Sequence, residues 1–279
     1  LPLPATGELL ALWEAGSALS VDPATLQARG FKAWSAATQG APFSAHPRTA
    51  PDGTVWNFGY VPGSGKLLVY EIAASGQLRR THILDAPQAD MVHDFAITPR
   101  HLVFLLMPLK FGGQPGVGDP LSHYRWDANA PLAVLLVDKA DFSVQRFELP
   151  ATGLFHIANA WEDGGTVQVR FVAQPAILQA LRQLRVDRPR DPASTTPTQW
   201  THITLNPATG QARMETTGLH GVEFPRIHPA RHGLPTQFTT LLARSAGMDA
   251  RVHGFATVLT LQGDKPQSHT YGPGWIAEE

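Results

Sequence analysis

The sequence predicts an all-β protein, because short apolar or alternating stretches recur along the chain and turn-forming residues separate them. Of its 279 residues, 43% are hydrophobic and 16% are charged, which is enough apolar material for a sizeable core. Many short strands at regular spacing favour a sandwich, a barrel or a propeller. Since a propeller blade takes roughly 40–50 residues, the chain length predicts about six blades.

Nine segments have the residue pattern of strands. They are 8–14, 54–60, 66–72, 101–107, 132–138, 166–172, 200–206, 212–217 and 254–261. Sequences typical of turns lie between them, for example PDG at 51–53 and DGG at 163–165. One helix is predicted over 175–186, where a proline opens the segment. Its apolar face would consist of Ile177, Leu178, Leu181 and Leu184.

The charge and the absence of cysteine exclude several functions. The net charge is −1, which gives no reason to expect nucleic acid as a partner. Without cysteine there can be no disulfide, no thiolate nucleophile and no cysteine-type zinc site, so any metal must be held by histidine or carboxylate. The longest apolar run, 102–109, is far shorter than the ~20 residues that span a bilayer. No signal peptide is visible, and we expect a cytoplasmic protein.

Three of the 12 histidines share one sequence context. His46, His93 and His156 are each followed, six or seven residues later, by a turn and then by a strand. In a propeller, equivalent positions of the inner strands meet near the axis, so these three imidazoles could converge. Imidazole ligands suit zinc, copper, iron and nickel. The alternative is that each is an ordinary structural histidine, which is our expectation for the other nine.

Two carboxylates could orient such ligands. A metal-binding histidine usually donates its second ring N–H to a carboxylate or a carbonyl. Glu14 ends the apolar stretch LLALWE, and Glu223 lies in GVEFPRI. A buried carboxylate at either place would need a hydrogen-bonded partner, and we expect His156 to be the partner of Glu223. The alternative is that both glutamates are exposed at strand ends.

At these residues the sequence resembles a known family, the carotenoid cleavage oxygenases, which include stilbene-cleaving enzymes and retinoid isomerases. The matching stretches, in the order of the family, are SAHPRTAPDGTVWNFGY (44–60), MVHDFAITPRHLVFLLMPL (91–109), LFHIANAWEDGG (154–165) and GVEFPRIHP (221–229). The resemblance implies a seven-bladed β-propeller, incomplete in this chain, with a small helix-and-loop dome. It also implies that 1–279 is a single domain that lacks N-terminal and C-terminal parts.

The resemblance implies a non-haem iron site with one Fe(II) per chain and O2 as co-substrate. The implied metal ligands are His46, His93 and His156. The implied orienting glutamates are Glu14, Glu223 and a C-terminal glutamate, Glu279 in preference to Glu278. In the family a fourth histidine ligand lies beyond the position where this chain stops.

The implied function is a dioxygenase that splits a conjugated C=C of a carotenoid or apocarotenoid into two carbonyl products. Its partner would be an apolar polyene in an apolar tunnel, and the family allows peripheral contact with a membrane. The Gly- and Pro-rich segment 108–123 would then help to form the dome or the tunnel entrance, or else be a solvent loop. Three alternatives stay open: a stilbene-cleaving dioxygenase, a non-oxidative isomerase and a metal-free propeller that serves as a binding module.

Overall fold

A computed structural model describes residues 1–14, 16–113, 120–183, 196–244, 254–271 and 275–277. These residues form five antiparallel four-stranded sheets, and each sheet uses strands from one continuous stretch of the chain. Four apolar clusters fill the spaces between successive sheets. Consecutive sheets that pack face to face in this way are the blades of a β-propeller, which confirms the all-β prediction.

The first three sheets take up the first half of the chain. The first contains β1 (Pro2–Leu3), β2 (Glu8–Ala11), β3 (Leu19–Val21) and β4 (Ala28–Phe31). The second contains β5 (Arg48–Thr49), β6 (Val55–Tyr60), β7 (Lys66–Ile72) and β8 (Leu78–Asp85). The third begins with β9 (Phe95–Ile97) and β10 (His101–Leu106), continues through a two-stranded arm of β11 (Leu109–Phe111) and β12 (Tyr124–Trp126), and ends with β13 (Leu132–Asp138) and β14 (Val144–Leu149).

Two more sheets follow. The fourth contains β15 (Gly153–Asp163), β16 (Thr166–Gln174), β17 (Gln199–Asn206) and β18 (Gln211–His220), with helix α1 (Ile177–Arg182) between β16 and β17. The fifth contains β19 (Val222–Arg226), β20 (Phe238–Ala243), β21 (Thr257–Gln262) and β22 (Lys265–Thr270). The first strands of neighbouring blades lie side by side, since β15 contacts both β9 and β19. These first strands are therefore the inner strands, close to the axis.

The number of blades differs from both expectations. The described residues form five blades, where the chain length predicts six and the resemblance implies seven for the whole family fold. The inner strands begin 46, 47, 58 and 69 residues apart, because the third blade contains the β11–β12 arm and the fourth contains α1. Of the expected dome, the described residues show this arm, α1 and short 3-10 turns. Segment 108–123 is thus partly strand, with 114–119 outside the described residues.

The predicted strands are present, and the two at 66–72 and 132–138 have the predicted bounds. The strand predicted over 8–14 is shorter, because β2 ends at Ala11 and Glu14 lies in a turn beyond it. The outer strands β4, β8, β14 and β22 were not predicted. Both β4 and β22 are exposed at every position, so their sequences lack the apolar alternation that identifies a half-buried strand. The predicted helix is confirmed only over α1, and Leu184 lies outside the described residues.

Strands in the middle of the third blade are apolar on both faces. In β10, Val103 and Leu105 pack towards the fourth sheet, whereas Leu102, Phe104 and Leu106 pack towards the second. Alternate side chains of a strand point to opposite faces, so a blade between two others needs apolar residues at every position. This explains the continuous run LVFLLM, which crosses the blade and not a membrane.

We expect Phe104→Ala to be strongly destabilising. Phe104 is fully buried, and its ring centroid lies 5.4 Å from that of Phe95 and 5.5 Å from that of Phe58. Truncation leaves a cavity between two blades and should lower the free energy of unfolding by about 3–5 kcal/mol, measured by urea denaturation. Val144→Ala at an exposed position of the outer strand β14 is the control, expected within about 0.5 kcal/mol of the unchanged protein. Equal stability of the two variants would contradict the packing described here.

Candidate metal centre

The inner strands place the three histidines of the repeated motif at the axis. His46 precedes β5 by two residues, His93 precedes β9 by two residues, and His156 lies within β15. Each comes from a different blade, as their shared sequence context predicts. The turns after His46 and His156 are also present, with Gly53 at φ 82° and Gly164 at φ 54°. Glycine tolerates this left-handed backbone without a steric penalty.

The imidazole rings converge through their Nε2 atoms. Nε2 of His93 lies 2.9 Å from Nε2 of His46 and 3.1 Å from Nε2 of His156. All three ligand atoms lie within 4.8 Å of one another. His156 is buried and the other two histidines are half-buried. Within the described ranges, no other group of three histidine or acidic side chains brings its donor atoms together in this way.

Two carboxylates hold the outer ring nitrogens. Nδ1 of His93 lies 3.0 Å from Oε2 of Glu14, and Nδ1 of His156 donates to Oε2 of Glu223 over 2.8 Å. A carboxylate beside Nδ1 favours the ring proton on that nitrogen, so that the Nε2 lone pair faces the cluster. The structure therefore brings Glu14 next to His93 and Glu223 next to His156, with Glu14 reaching from the first blade to the third.

The arrangement fits a divalent cation. Once Nδ1 of His93 and of His156 carry the protons, their Nε2 lone pairs face each other, and a metal ion is the natural partner for both. With metal–nitrogen bonds of about 2.1 Å, neighbouring ligand atoms lie about 3.0 Å apart on an octahedral ion and about 3.4 Å apart on a tetrahedral one. The His93–His46 and His93–His156 separations of 2.9 and 3.1 Å lie near the octahedral value, and all three ligand atoms lie within 4.8 Å of one another. Oε1 of Glu14 and Oε1 of Glu223 are buried without a hydrogen-bond partner among the described residues. A cation near these oxygens would stabilise the negative charge of the buried carboxylates.

His46 is held differently from the other two. Its backbone N–H donates to Oγ of Ser44 over 3.1 Å, and Ser44 in turn donates to Oδ1 of the buried Asn57. Burial, with a smaller contribution from the other two imidazoles, lowers the pKa of His46 to about 4, although Asp94 acts in the opposite direction. At neutral pH the ring is therefore uncharged, which is the form that can bind a metal.

Next to the histidines lies a buried ion pair that the sequence analysis did not identify. Nη2 of Arg48 donates to both carboxylate oxygens of Asp94, over 2.7 and 2.5 Å. Burial alone would favour the neutral acid, but Arg48, His46 and the N–H of Ile157 together outweigh it, and the pKa of Asp94 lies below its usual range. The only feature of the sequence that could have indicated this pair is its position. Arg48 in HPR and Asp94 in HDF each lie within two residues of a predicted ligand.

Aromatic rings surround the imidazoles. The ring centroid of Phe155 lies 5.4 Å from that of His93, and the ring centroid of Phe224 lies 5.0 Å from that of His156 and 5.7 Å from that of Phe255. Phe224 has a φ of 52°, which is unusual for a bulky residue. Its N–H donates to Oε2 of Glu223 over 2.6 Å, so one strained turn orients both the carboxylate and the aromatic ring.

Two cavities lie near this region. The smaller, of about 260 Å³, lies next to the cluster and is lined by Ala45, His46, Pro47, Arg48, Arg226 and His232. The larger, of about 710 Å³, lies between the second and third sheets and touches none of the three cluster histidines. Only the smaller cavity therefore belongs to the candidate site.

The remaining predicted residues are the C-terminal glutamates and the histidines expected to be structural. Glu278 and Glu279 lie outside the described residues, so neither can be placed. Among the histidines expected to be structural, His101 pairs with Glu162 and His202 stacks on Trp161. Both have ordinary packing roles away from the cluster.

The fold and the converging imidazoles place this protein in the class of β-propellers with a candidate metal site at the axis. Comparison with known proteins then identifies the family. The profile described as RPE65, retinal pigment epithelial membrane protein, matches residues 3–279. The chain therefore belongs to this family, the carotenoid cleavage oxygenases that its motifs resemble. No helix among the described residues is long and apolar enough to cross a bilayer.

Individual relatives are similar over most of this chain or a large part of it. Apocarotenoid-15,15'-oxygenase of Synechocystis sp. is 29% identical over 251 residues, which cover 82% of this chain and 49% of that protein. Resveratrol cleavage oxygenase 1 of Aspergillus fumigatus is 30% identical over 171 residues, which cover 56% of this chain and 33% of that protein. The crystal structure of cobalt-substituted Synechocystis ACO has a TM-score of 0.81 at 25% identity, over 95% of this chain and 58% of that one. The chain thus spans about half the length of the first of these relatives.

We expect the metal-free protein to lose stability in mild acid, in part through His232. Burial, aided by Arg48, lowers the pKa of His232 from 6.5 to about 4. Between these two values the unfolded chain binds the proton and the folded protein does not. The free energy of unfolding should therefore fall as the pH falls through this window, and the loss should level off below about pH 4.

Urea denaturation across this pH range, with a chelator present, measures the effect. His232→Gln should flatten the pH dependence, because the titrating group is removed. His82→Gln is the matched control at an exposed histidine and should keep the slope of the unchanged protein. A slope unchanged in His232→Gln would contradict the assignment.

Proposed function

We propose that the protein containing this chain is a non-haem Fe(II)-dependent dioxygenase that uses O2 to cleave a conjugated C=C of a carotenoid or apocarotenoid into two carbonyl products. The observation that carries the proposal is the convergence of the Nε2 atoms of His46, His93 and His156 in a chain of this family. The name of the Synechocystis relative, an apocarotenoid oxygenase, supports the substrate class.

We propose iron(II), one per chain, as the metal. Imidazole suits iron, and a set of neutral ligands leaves a divalent ion strongly Lewis acidic. The similar structure described as cobalt-substituted supports a site that takes a transition-metal ion. Bound iron would supply the activation of O2. The fourth histidine that the resemblance implies stays a prediction, as does the role of Glu279.

The residues of this chain would hold, orient and shield the centre. Glu14 and Glu223 keep the ring protons of His93 and His156 on Nδ1, so that Nε2 stays available through the reaction. Phe155 and Phe224 present apolar rings beside the imidazoles. Such a wall favours an apolar polyene, whose burial contributes roughly 25 cal/mol for each Å² removed from water.

A stilbene is the second candidate substrate. The observation in its favour is the 30% identity to a resveratrol cleavage oxygenase. The same imidazole cluster would serve both reactions, so the difference would lie in the walls that contact the substrate. A metal-free binding module is the alternative of another class, and it predicts no iron in the purified protein.

The organisation and location of the chain are proposed with the function. We propose that 1–279 forms one domain, because apolar clusters join each blade to the next. The parts implied to be missing at either end stay a prediction. We propose a cytoplasmic location with peripheral membrane contact, supported by the resemblance to the family.

The reaction is tested by product analysis. The protein, supplied with Fe(II) and O2, should convert an apocarotenoid or resveratrol into two carbonyl products that liquid chromatography and mass spectrometry identify. His156→Ala should abolish turnover and iron retention, because it removes one ligand. Glu223→Gln should keep part of the iron and lower turnover by about 10–100-fold, since the ring loses its charged partner.

His101→Gln is the control variant, because His101 pairs with Glu162 away from the cluster. It should keep both iron and rate. Normal turnover in His156→Ala would refute the site, and purified protein that holds no iron would favour the binding module.

A further inference from the structure

We propose that Asp94, together with Arg48, is a positioning pair that sets the geometry of the three metal-binding imidazoles. Neither side chain contacts the ring of a histidine through a described hydrogen bond, yet both contact the backbone beside the ligands. The inference rests on the proposed function, because it treats the histidine cluster as a metal site. It predicts that metal affinity and coordination geometry depend on a carboxylate outside the ligand set.

The carboxylate of Asp94 joins the chain segments next to two of the ligands. Asp94 directly follows His93 in the sequence. Its Oδ1 accepts the N–H of Phe95 over 2.8 Å, and its Oδ2 accepts the N–H of Ile157, the residue after His156, also over 2.8 Å. One buried carboxylate thus fixes the backbone of the third and fourth blades at the axis.

Arg48 completes the connection to the third ligand. Arg48 lies two residues after His46, and its Nη2 donates to both oxygens of Asp94. The same Nη2 donates to the carbonyl of Ile157 over 2.8 Å, and Nε donates to the carbonyl of Phe95 over 2.9 Å. The pair therefore binds the N–H and the C=O of both backbone positions.

The sheets themselves do not supply this anchoring. His46 and His93 lie outside the strands, each two residues before the inner strand begins. In β15 the pairing with β16 shifts register between Leu154 and Ile157 and again between Ile157 and Asn159, so the regular ladder is interrupted around His156. Where the ladder is interrupted, backbone groups need other partners, and the Arg48–Asp94 pair provides them at Ile157.

This placement separates a positioning role from simple stabilisation. Breaking any buried ion pair destabilises a protein, because the remaining charge loses its partner. Only a pair attached next to the ligands should also move the imidazoles. The fold contains a matched control in Glu71, a buried carboxylate of the second blade that accepts from Arg79 over 3.2 Å and Arg80 over 2.5 Å. None of these contacts involves the backbone next to a cluster histidine.

The test compares Asp94→Asn and Arg48→Lys with Glu71→Gln, each confirmed to be folded by circular dichroism. Asn at 94 replaces one acceptor oxygen with an NH2 group, so the N–H of Phe95 or Ile157, or Arg48, loses its acceptor. Lys at 48 keeps the charge but cannot make the planar fork of bonds. Co(II) titration followed by its ligand-field absorption gives both the affinity and the coordination geometry.

We expect Asp94→Asn to bind Co(II) about 10–100-fold more weakly and with an altered spectrum, the range typical of residues that orient metal ligands. Arg48→Lys should show a smaller change in the same direction, and it provides the test should Asp94→Asn fail to fold. Glu71→Gln should keep the affinity and spectrum of the unchanged protein. Unchanged affinity and spectrum in folded Asp94→Asn or Arg48→Lys would overturn the proposal.

A second measurement does not depend on metal binding. Crystal structures of the metal-free protein and of Asp94→Asn give the Nε2 separations directly, which we expect to increase from 2.9 and 3.1 Å in the variant. If the unchanged protein binds neither Co(II) nor Fe(II), the proposed function fails, and these separations still decide the positioning role. Equal separations in both proteins would overturn it.

Discussion

The buried ion pair between Arg48 and Asp94 is the interaction on which the centre of this propeller depends. It joins the inner strands of the second, third and fourth blades through bonds to the backbone of Phe95 and Ile157. A charged pair is stable at the axis because every strong hydrogen-bonding group of the carboxylate has a partner. The three imidazoles belong to residues adjacent to, or two positions from, the members of this network. The ion pair and the candidate metal site therefore share the same backbone segments.

Around this polar centre the protein is apolar and closely packed. The spaces between the five blades are filled by buried aliphatic and aromatic side chains, and the middle strands are covered on both faces. Close packing of this kind leaves the inner strands little room to move. The turn at Phe224, with its positive φ, is strained within this frame and holds both a carboxylate and an aromatic ring at the site. The result is a cluster of ring nitrogens beside aromatic side chains.

Much of the fold could be read from the sequence, and the gaps among the outer strands have a physical cause. Strands that pack between blades, such as β7 and β13, carry enough apolar residues to be located to the residue. The outer strand β22 is exposed throughout, and its existence depends on hydrogen bonds to β21 that leave no pattern in its side chains. The blade count was overestimated because length alone does not reveal the β11–β12 arm or α1, which enlarge two of the blades.

By itself the sequence determined that the chain is all-β and that His46, His93 and His156 occupy related positions, and it identified Glu14 and Glu223 as candidates to orient them. The repeated sequence context indicates these positions, because each of the three histidines is followed by a turn and a strand. Only the tertiary structure decided which atoms meet. The contact of Glu14 with His93 and the hydrogen bond from the N–H of Ile157 to Asp94 join different blades, with more than 60 residues of chain between the partners. Such contacts depend on how the sheets pack around the axis. A short-range sequence pattern does not specify how close residues of different blades lie in space.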